Sequence, residues 1–304
     1  MPTFRPVLAL AFLIGAHCSF TLLDASGKGL AVIMGIPLIS LARHGIQVVL
    51  MLAMFGPANG RKLIQTRHPG LQLARGITLT GFTVFFFTAL SYLPQAEATA
   101  INFLTPFAVM ILAGPLLGET VTWRRWLGAV LGFSGMLIII RPGSGLDGTG
   151  VFFVLLTVLC NIAFQLLTRK LATQDDHNST VFLTALIGVI VSLLLLPLQS
   201  SWGGWPQDLN LEHWLMLAML GITGTISQLC LIRAYYWSSA SFIAPLVFLQ
   251  MLWAAAAGWL FFGQFPPPLN QLGMVLILAG GVLMMWLETT KSKRLRKVEQ
   301  EIQT

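Results

Sequence analysis

The sequence predicts an all-α membrane protein, with ten transmembrane helices in two inverted five-helix repeats around a central cavity. Three observations lead there. Of the 304 residues 56% are hydrophobic and only 10% charged, against about 25% charged in a soluble domain, so lipid is the solvent. Turn-like punctuation cuts the chain into ten apolar spans, each close to the ~20 residues that cross a bilayer. Lys and Arg then fall almost entirely on alternate connections, as the positive-inside rule requires.

The spans run 7–26, 30–54, 71–92, 95–117, 124–140, 148–168, 179–199, 212–233, 239–262 and 268–287. The first follows Arg5 like a signal peptide, but no small-x-small cleavage site precedes Asp24. His17 also spoils a lipoprotein box ending at Cys18, so the span is expected to remain. The second carries "SLARHGIQ", residues 40–47, with Arg43 and His44 deep in an apolar run. Between spans stand "GPANGRK", "YLPQ", "RPGSGLDG", "ATQDDHNS", "SSWGGWPQD" and "GQFPPP", which read as turns. Asp175, Asp176 and His177 in the fourth of these read as a solvated turn rather than a metal site. Trp202 and Trp205 read as interface anchors. Cys18, Cys160 and Cys230 lie in apolar segments without CxxC spacing and read as packing residues.

Fifteen of the 18 Lys and Arg residues lie at one set of span ends, from Arg5 and Arg61 to Lys297. The other set holds only Lys28 and Arg141, and Arg43 lies within a span. Both termini are therefore expected in the cytoplasm, with "KSKRLRK" as a basic flank against anionic lipid. The net charge of +7 thus marks membrane orientation, not nucleic-acid binding. Sliding the chain by 145 residues matches Gly118 with Gly263, Leu127 with Leu272, Gly128 with Gly273, Val130 with Val275 and Gly135 with Gly280. Two repeats follow, 1–143 and 144–288, with a basic tail at 289–304. Five helices each makes them inverted, a plan that puts a transporter's substrate site between them near the midplane. Gly128, Gly132 and Gly135 share one helix face, as do Gly273 and Gly280, so the fifth and tenth spans read as close-packed scaffold.

The run "AEATAINFLTPF…LLGE…WRRWLG…GFSGM", within residues 93–143, resembles the EamA-type repeat of the drug/metabolite transporter superfamily. "RAYYWSSASFIAPLVFLQMLWAAAAGWLFFGQFPPP" is similar to the matching part of the second repeat. The resemblance spans residues 5–288 and is specific for the superfamily, not for a substrate. It implies ten helices, cytoplasmic termini, a central cavity and no ATP-binding domain, in a bacterial inner membrane. Export of an amino acid or amino-acid-derived compound, such as an opine-type metallophore, is the function it favours. Import of a riboflavin- or S-adenosylmethionine-like metabolite is the alternative. Gln264 departs from the pattern, since the second repeat often has an acid there, as the first has Glu119.

Ionisable groups within the spans are His17, Asp24, Arg43, His44 and Glu97. Such groups cost at least about 2.5–3.5 kcal/mol in lipid and mark pathways or buried pairs. Neutral polar groups at depth are Asn102, Asn161, Gln165, Gln228 and Gln250, and the pair Tyr235, Tyr236 or the run Phe85–Phe87 could stack on a ring-bearing substrate or serve as lipid-facing or packing aromatics. Two readings stand for Arg43. It grips an anionic substrate group with its two-pronged guanidinium, or it forms a structural lock with Glu97 or Asp24. Glu97 could equally serve helix-start electrostatics, and His17 and His44 could be hydrogen-bonded core histidines. No enzyme motif, cofactor site or metal set is expected. The partners expected are a small-molecule substrate, lipid and possible coupling protons at Asp24 or Glu97. Oligomeric state is open.

Overall fold

The structure is a computed structural model that describes residues 6–117, 123–140, 145–171, 174–201, 204–206, 208–237, 249–280 and 282–283. Among these, every regular element is helical. The order is α1 (Pro6–Ala31), α2 (Ile36–Asn59), a 3₁₀ turn (Gly60–Ile64), α3 (Pro69–Tyr92), α4 (Gln95–Asn102) and α5 (Leu104–Leu117). Then come α6 (Trp123–Ile140), α7 (Gly148–Leu171), α8 (His177–Leu195), a 3₁₀ turn (Leu196–Ser201), α9 (Leu211–Trp237) and α10 (Leu249–Phe262). The last is α11 (Pro268–Gly280). Six of these helices are long and apolar enough to cross a membrane: α1, α2, α3, α7, α8 and α9. Gly118 and Glu119 of the "LLGE" motif, Trp202 and the basic tail lie outside the described residues.

Two boundaries differ from the sequence reading. The first helix runs on to Ala31, and the second starts at Ile36 rather than residue 30. The extended Gly35 (φ −68, ψ 147) and Pro37 set that start, because a proline is tolerated only in a helix's first turn. Lys28 therefore belongs to α1, not to a loop. The fourth span is broken at Phe103 into α4 and α5. Pro106 has no N–H, and its ring clashes with the carbonyl four residues back, that of Asn102. The Phe103 N–H turns to Thr99 O at 3.1 Å and Ala100 O at 3.2 Å. At the other end of α4, Pro94 forces Leu93 extended (φ −121, ψ 150) and separates it from α3.

The packing crosses between the two halves of the chain. α1 lies chiefly on α9 and α3 chiefly on α7, while α2 meets α8 and α9, and α3 also meets α8. α4 sits between α7 and α10, and α10 rests on α1. α6 and α11 touch backbone to backbone. A Cβ at Gly135 would lie 2.5 Å from Gly273 O, and one at Gly273 would lie 2.7 Å from Gly135 O. The close approach expected of these glycines is present at Gly135 and Gly273, while Gly132 instead seats the Phe107 ring of α5. Polarity runs inside out. Leu194, Trp259, Leu260 and Val275 are exposed, while Asp24, Arg43, Arg75 and Glu97 are buried. That is the arrangement of a protein solvated by lipid.

Candidate functional site

His17, Thr21, Asp24 and Lys28 follow each other along α1 at spacings of four, three and four residues. That spacing puts them on one helix face, over about 16 Å at 1.5 Å per residue. All four are buried, at 2, 4, 5 and 8% exposure. Thr21 Oγ1 and both His17 ring nitrogens have no hydrogen-bond partner in the structure. The amide of Gln250, from α10, lies alongside His17.

Arg43 of α2 stands beside this face and is 2% exposed. Its Nη1 donates to Thr83 Oγ1 of α3. Its Nε is buried and unpartnered, and the guanidinium lies along Gly224 of α9, where a Cβ would sit 3.7 Å from Nε. Asp24 is the carboxylate whose charge acts on it most, yet the two form no ion pair within 4 Å. Glu97, the other acid foreseen as a partner, is engaged elsewhere. Its Oε1 accepts from Asn270 Nδ2 of α11 at 3.3 Å, and Oε2 is buried without a partner. The charge facing it is Lys28. Lys28 Nζ donates to Leu93 O at 2.9 Å and to Gln264 Oε1 at 2.8 Å, and lies 5.0 Å from the centre of the Phe262 ring.

The break between α4 and α5 places a second polar group. Asn102 Oδ1 accepts from Thr105 Oγ1 at 3.2 Å and from Asn161 Nδ2 of α7 at 3.3 Å. Gln165 Nε2 then donates to Asn161 Oδ1 at 3.3 Å. Gln228 is buried on α9. Tyr235 is on the last turn of α9, and its side chain lies outside the described ones. His44 is apart from these groups. Its Nδ1 donates to Ser40 O at 2.8 Å, and its ring lies flat on α8, where a Cβ at Gly188 would come within 2.4 Å. Ser40 Oγ and Ser192 Oγ, 2.8 Å apart, complete that seam, so His44 packs two helices together. The Phe85–Phe87 run packs likewise, with the Phe87 ring filling the notch at Gly27.

Sequence reasoning missed four groups. Lys28 and Arg75 were assigned to loop ends, and Asn270 and Gln264 were given no contact. The α1 spacing was the available signal for Lys28. Arg75 is buried. It donates to Thr168 Oγ1 at 2.8 Å, to Thr180 O at 3.3 Å and to Thr184 Oγ1, with the Phe164 ring 4.6 Å away. The nearby acidic turn is a joint rather than a free solvated loop. Asp175 accepts from Gln72 Nε2 at 2.9 Å, the Arg67 N–H at 3.0 Å and Thr66 Oγ1. Desolvation opposes its charge, but these hydrogen bonds and nearby His68 outweigh it and hold its pKa below the ordinary 3.8. Asp176 caps α8 by accepting from the Ser179 N–H at 3.0 Å. A recess of about 420 Å³ opens here, lined by Phe55, Asp176, Asn178, Leu229, Ile232 and Arg233. Along α2, Phe55 is about 18 Å from Arg43, at the end away from Lys28.

The EamA-like transporter family matches the chain twice, over residues 7–141 and again over 148–286. The chain belongs to the EamA-like transporter family. The relatives of this EamA-like transporter include an S-adenosylmethionine uptake transporter of Rickettsia felis, 25% identical over 78% of each chain. A riboflavin transporter of Vibrio cholerae is 25% identical over 97% of this chain and 98% of its own. The pseudopaline exporter CntI of Pseudomonas aeruginosa is 25% identical over 70% of this chain and 73% of its own. One solved crystal structure shares the fold with a TM-score of 0.67 at 20% identity, over 94% of this chain and 98% of that one. This EamA-like transporter is thus a multi-pass membrane protein that transports rather than catalyses. Its interior holds Arg43 and Asp24 as near neighbours without an ion pair, both buried where α1, α2, α3 and α9 meet.

Proposed function

We propose that the chain is a secondary transporter of ten spans in two inverted repeats, 1–143 and 144–288, with a basic tail at 289–304. It exports a small polar or amphipathic metabolite, an amino acid or amino-acid-derived compound, across a bacterial inner membrane by alternating access. Both termini are cytoplasmic. The observation that carries this reading is Arg43 facing Asp24 without a contact pair, with its Nε unpartnered in the interior. A lock would close that gap, whereas a substrate bearing a carboxylate and an amine could bridge it. The double family match supports the repeat. So does the packing: exchanging α1–α3 with α7–α9 turns α1 on α9 into α7 on α3, and α2 on α9 into α8 on α3. The recess at the Arg233 end and the closed polar contacts at the Lys28 end fit a cavity open to one side at a time. Asp24 and Glu97 are the interior acids that could carry a coupling proton.

Uptake is the second reading, favoured by the relative named as an S-adenosylmethionine uptake transporter. Purified protein in liposomes, given labelled amino acids, S-adenosylmethionine and riboflavin under an imposed pH gradient, tests both. Gradient-driven movement of an amino-acid-type substrate, with affinity at least about tenfold weaker in Arg43→Lys, is expected. Equal affinity in that variant would count against Arg43 as the anion site. Flux in right-side-out and inverted vesicles separates export from uptake.

A further inference from the structure

We infer that Lys28 is a positioning residue of the transport cycle, which leaves Gln264 for Glu97 when the two halves of the chain part at this end. The inference rests on the alternating-access reading above. Lys28 and Glu97 both belong to the first half, yet neither satisfies the other. Lys28 reaches across to Gln264, in the connection between α10 and α11, at 2.8 Å. Glu97 reaches across to Asn270 of α11 at 3.3 Å. Each charge is thus held to the second half by a neutral amide. Lys28 also keeps one bond within its own half, to Leu93 O at 2.9 Å, which tethers it beside α4. Glu97 is its strongest charged neighbour, and the carboxylate keeps Oε2 buried and free of a partner.

When the second half withdraws, Gln264 and Asn270 leave together. Two buried charges would then be stranded, which is costly in an interior of low polarity. They have each other. Lys28 needs only to swing from the departing amide to the waiting Glu97 oxygen, and the ion pair offsets the hydrogen bonds lost. The neutral bridging amides matter for the same reason. An acid at position 264 would make the cross-half contact an ion pair, and this end would then resist opening. Gln264, which stands 145 residues on from Glu119 of the first repeat, thus suits a contact that must break in every cycle.

The test needs no substrate. In a background with Cys18, Cys160 and Cys230 replaced by serine, Thr99→Cys supplies a reporter close in size to the original. Thr99 is buried two residues beyond Glu97, with its Oγ1 unpartnered. A membrane-impermeant maleimide is applied to intact cells and to inverted vesicles, so that each end is reached separately. From the Lys28 end, Gln264→Leu should raise the labelling rate about tenfold and Gln264→Glu should lower it about tenfold, as expected for losing or strengthening one charge-assisted hydrogen bond. Gln264 is exposed, so both variants should still fold, with a melting temperature in detergent that moves by no more than the few degrees one hydrogen bond accounts for. Adding Glu97→Gln to Gln264→Leu removes the waiting partner and should return labelling to the parent rate. Mere loosening of the packing would leave labelling high in that double variant and overturn the exchange. So would Leu and Glu variants that shift in the same direction or not at all. Shifted labelling in a protein that moves none of the proposed substrates would support the exchange while counting against the substrate assignment.

Discussion

Arg43 and Asp24 separate two roles that look alike in a static picture. A guanidinium deprived of a buried counter-charge is destabilising by about 3–5 kcal/mol. Arg43→Gln and Asp24→Asn should each lower the melting temperature in detergent, and the double variant should recover much of the loss. If Arg43 holds substrate, the recovered double variant binds it poorly. Full transport in the double variant would instead make the pair a lock. Asp24, rather than Glu97, is the partner to pair with Arg43 in this experiment, because Glu97 is committed to Asn270 and faces Lys28. His17, Asp24, Arg43 and Glu97 were legible in the sequence because a charge within an apolar run has no innocuous explanation. Lys28 and Arg75 were not, because near a span's end a charge has water within reach. Only tertiary packing shows that these two lack it. Asn270 and Gln264 carry no charge and gave no signal until Glu97 and Lys28 were found against them.

Among the helices, the α6–α11 contact makes the sharpest demand on sequence. Gly135→Ala puts a methyl 2.5 Å from the Gly273 carbonyl oxygen, and that neighbour is backbone, which cannot rotate away. A loss of about 1–3 kcal/mol is expected, the usual cost of overpacking. It should appear as a lower melting temperature with substrate affinity unchanged. Gly45, which has open space around it, provides the control, and a Gly45→Ala variant that melts lower by as much would refute the assignment. The glycine pattern of both helices was legible, because small residues at helical spacing have few other uses. The break at Phe103 was not. Proline within an apolar span is common where neighbours can satisfy the freed groups, so Pro106 alone did not announce two helices. Asn102 acquires its two-sided contact with Thr105 and Asn161 only through that break.

At the scale of the molecule, the charge asymmetry of the connections makes a topological prediction. Reporter fusions after Ser144 and after Lys291 should read outside and inside respectively, and the reverse pair would sink the inverted-repeat arrangement. The sequence made the all-helical membrane class plain through composition, the length of its apolar spans and the alternation of its charged connections. It did not reveal which helices meet, because lipid-facing and protein-facing apolar residues look the same until packed. The meeting of α6 and α11 has a mechanical consequence. Where Gly135 and Gly273 touch, Ile277 of α11 lies over Gly135 and Ile139 of α6 lies over Gly273, so each helix seats a side chain in the notch the other's glycine leaves. Such a contact is keyed like a ratchet pawl in its tooth. Neither helix can slide along the other without lifting an isoleucine out of its notch, so the pair holds one register.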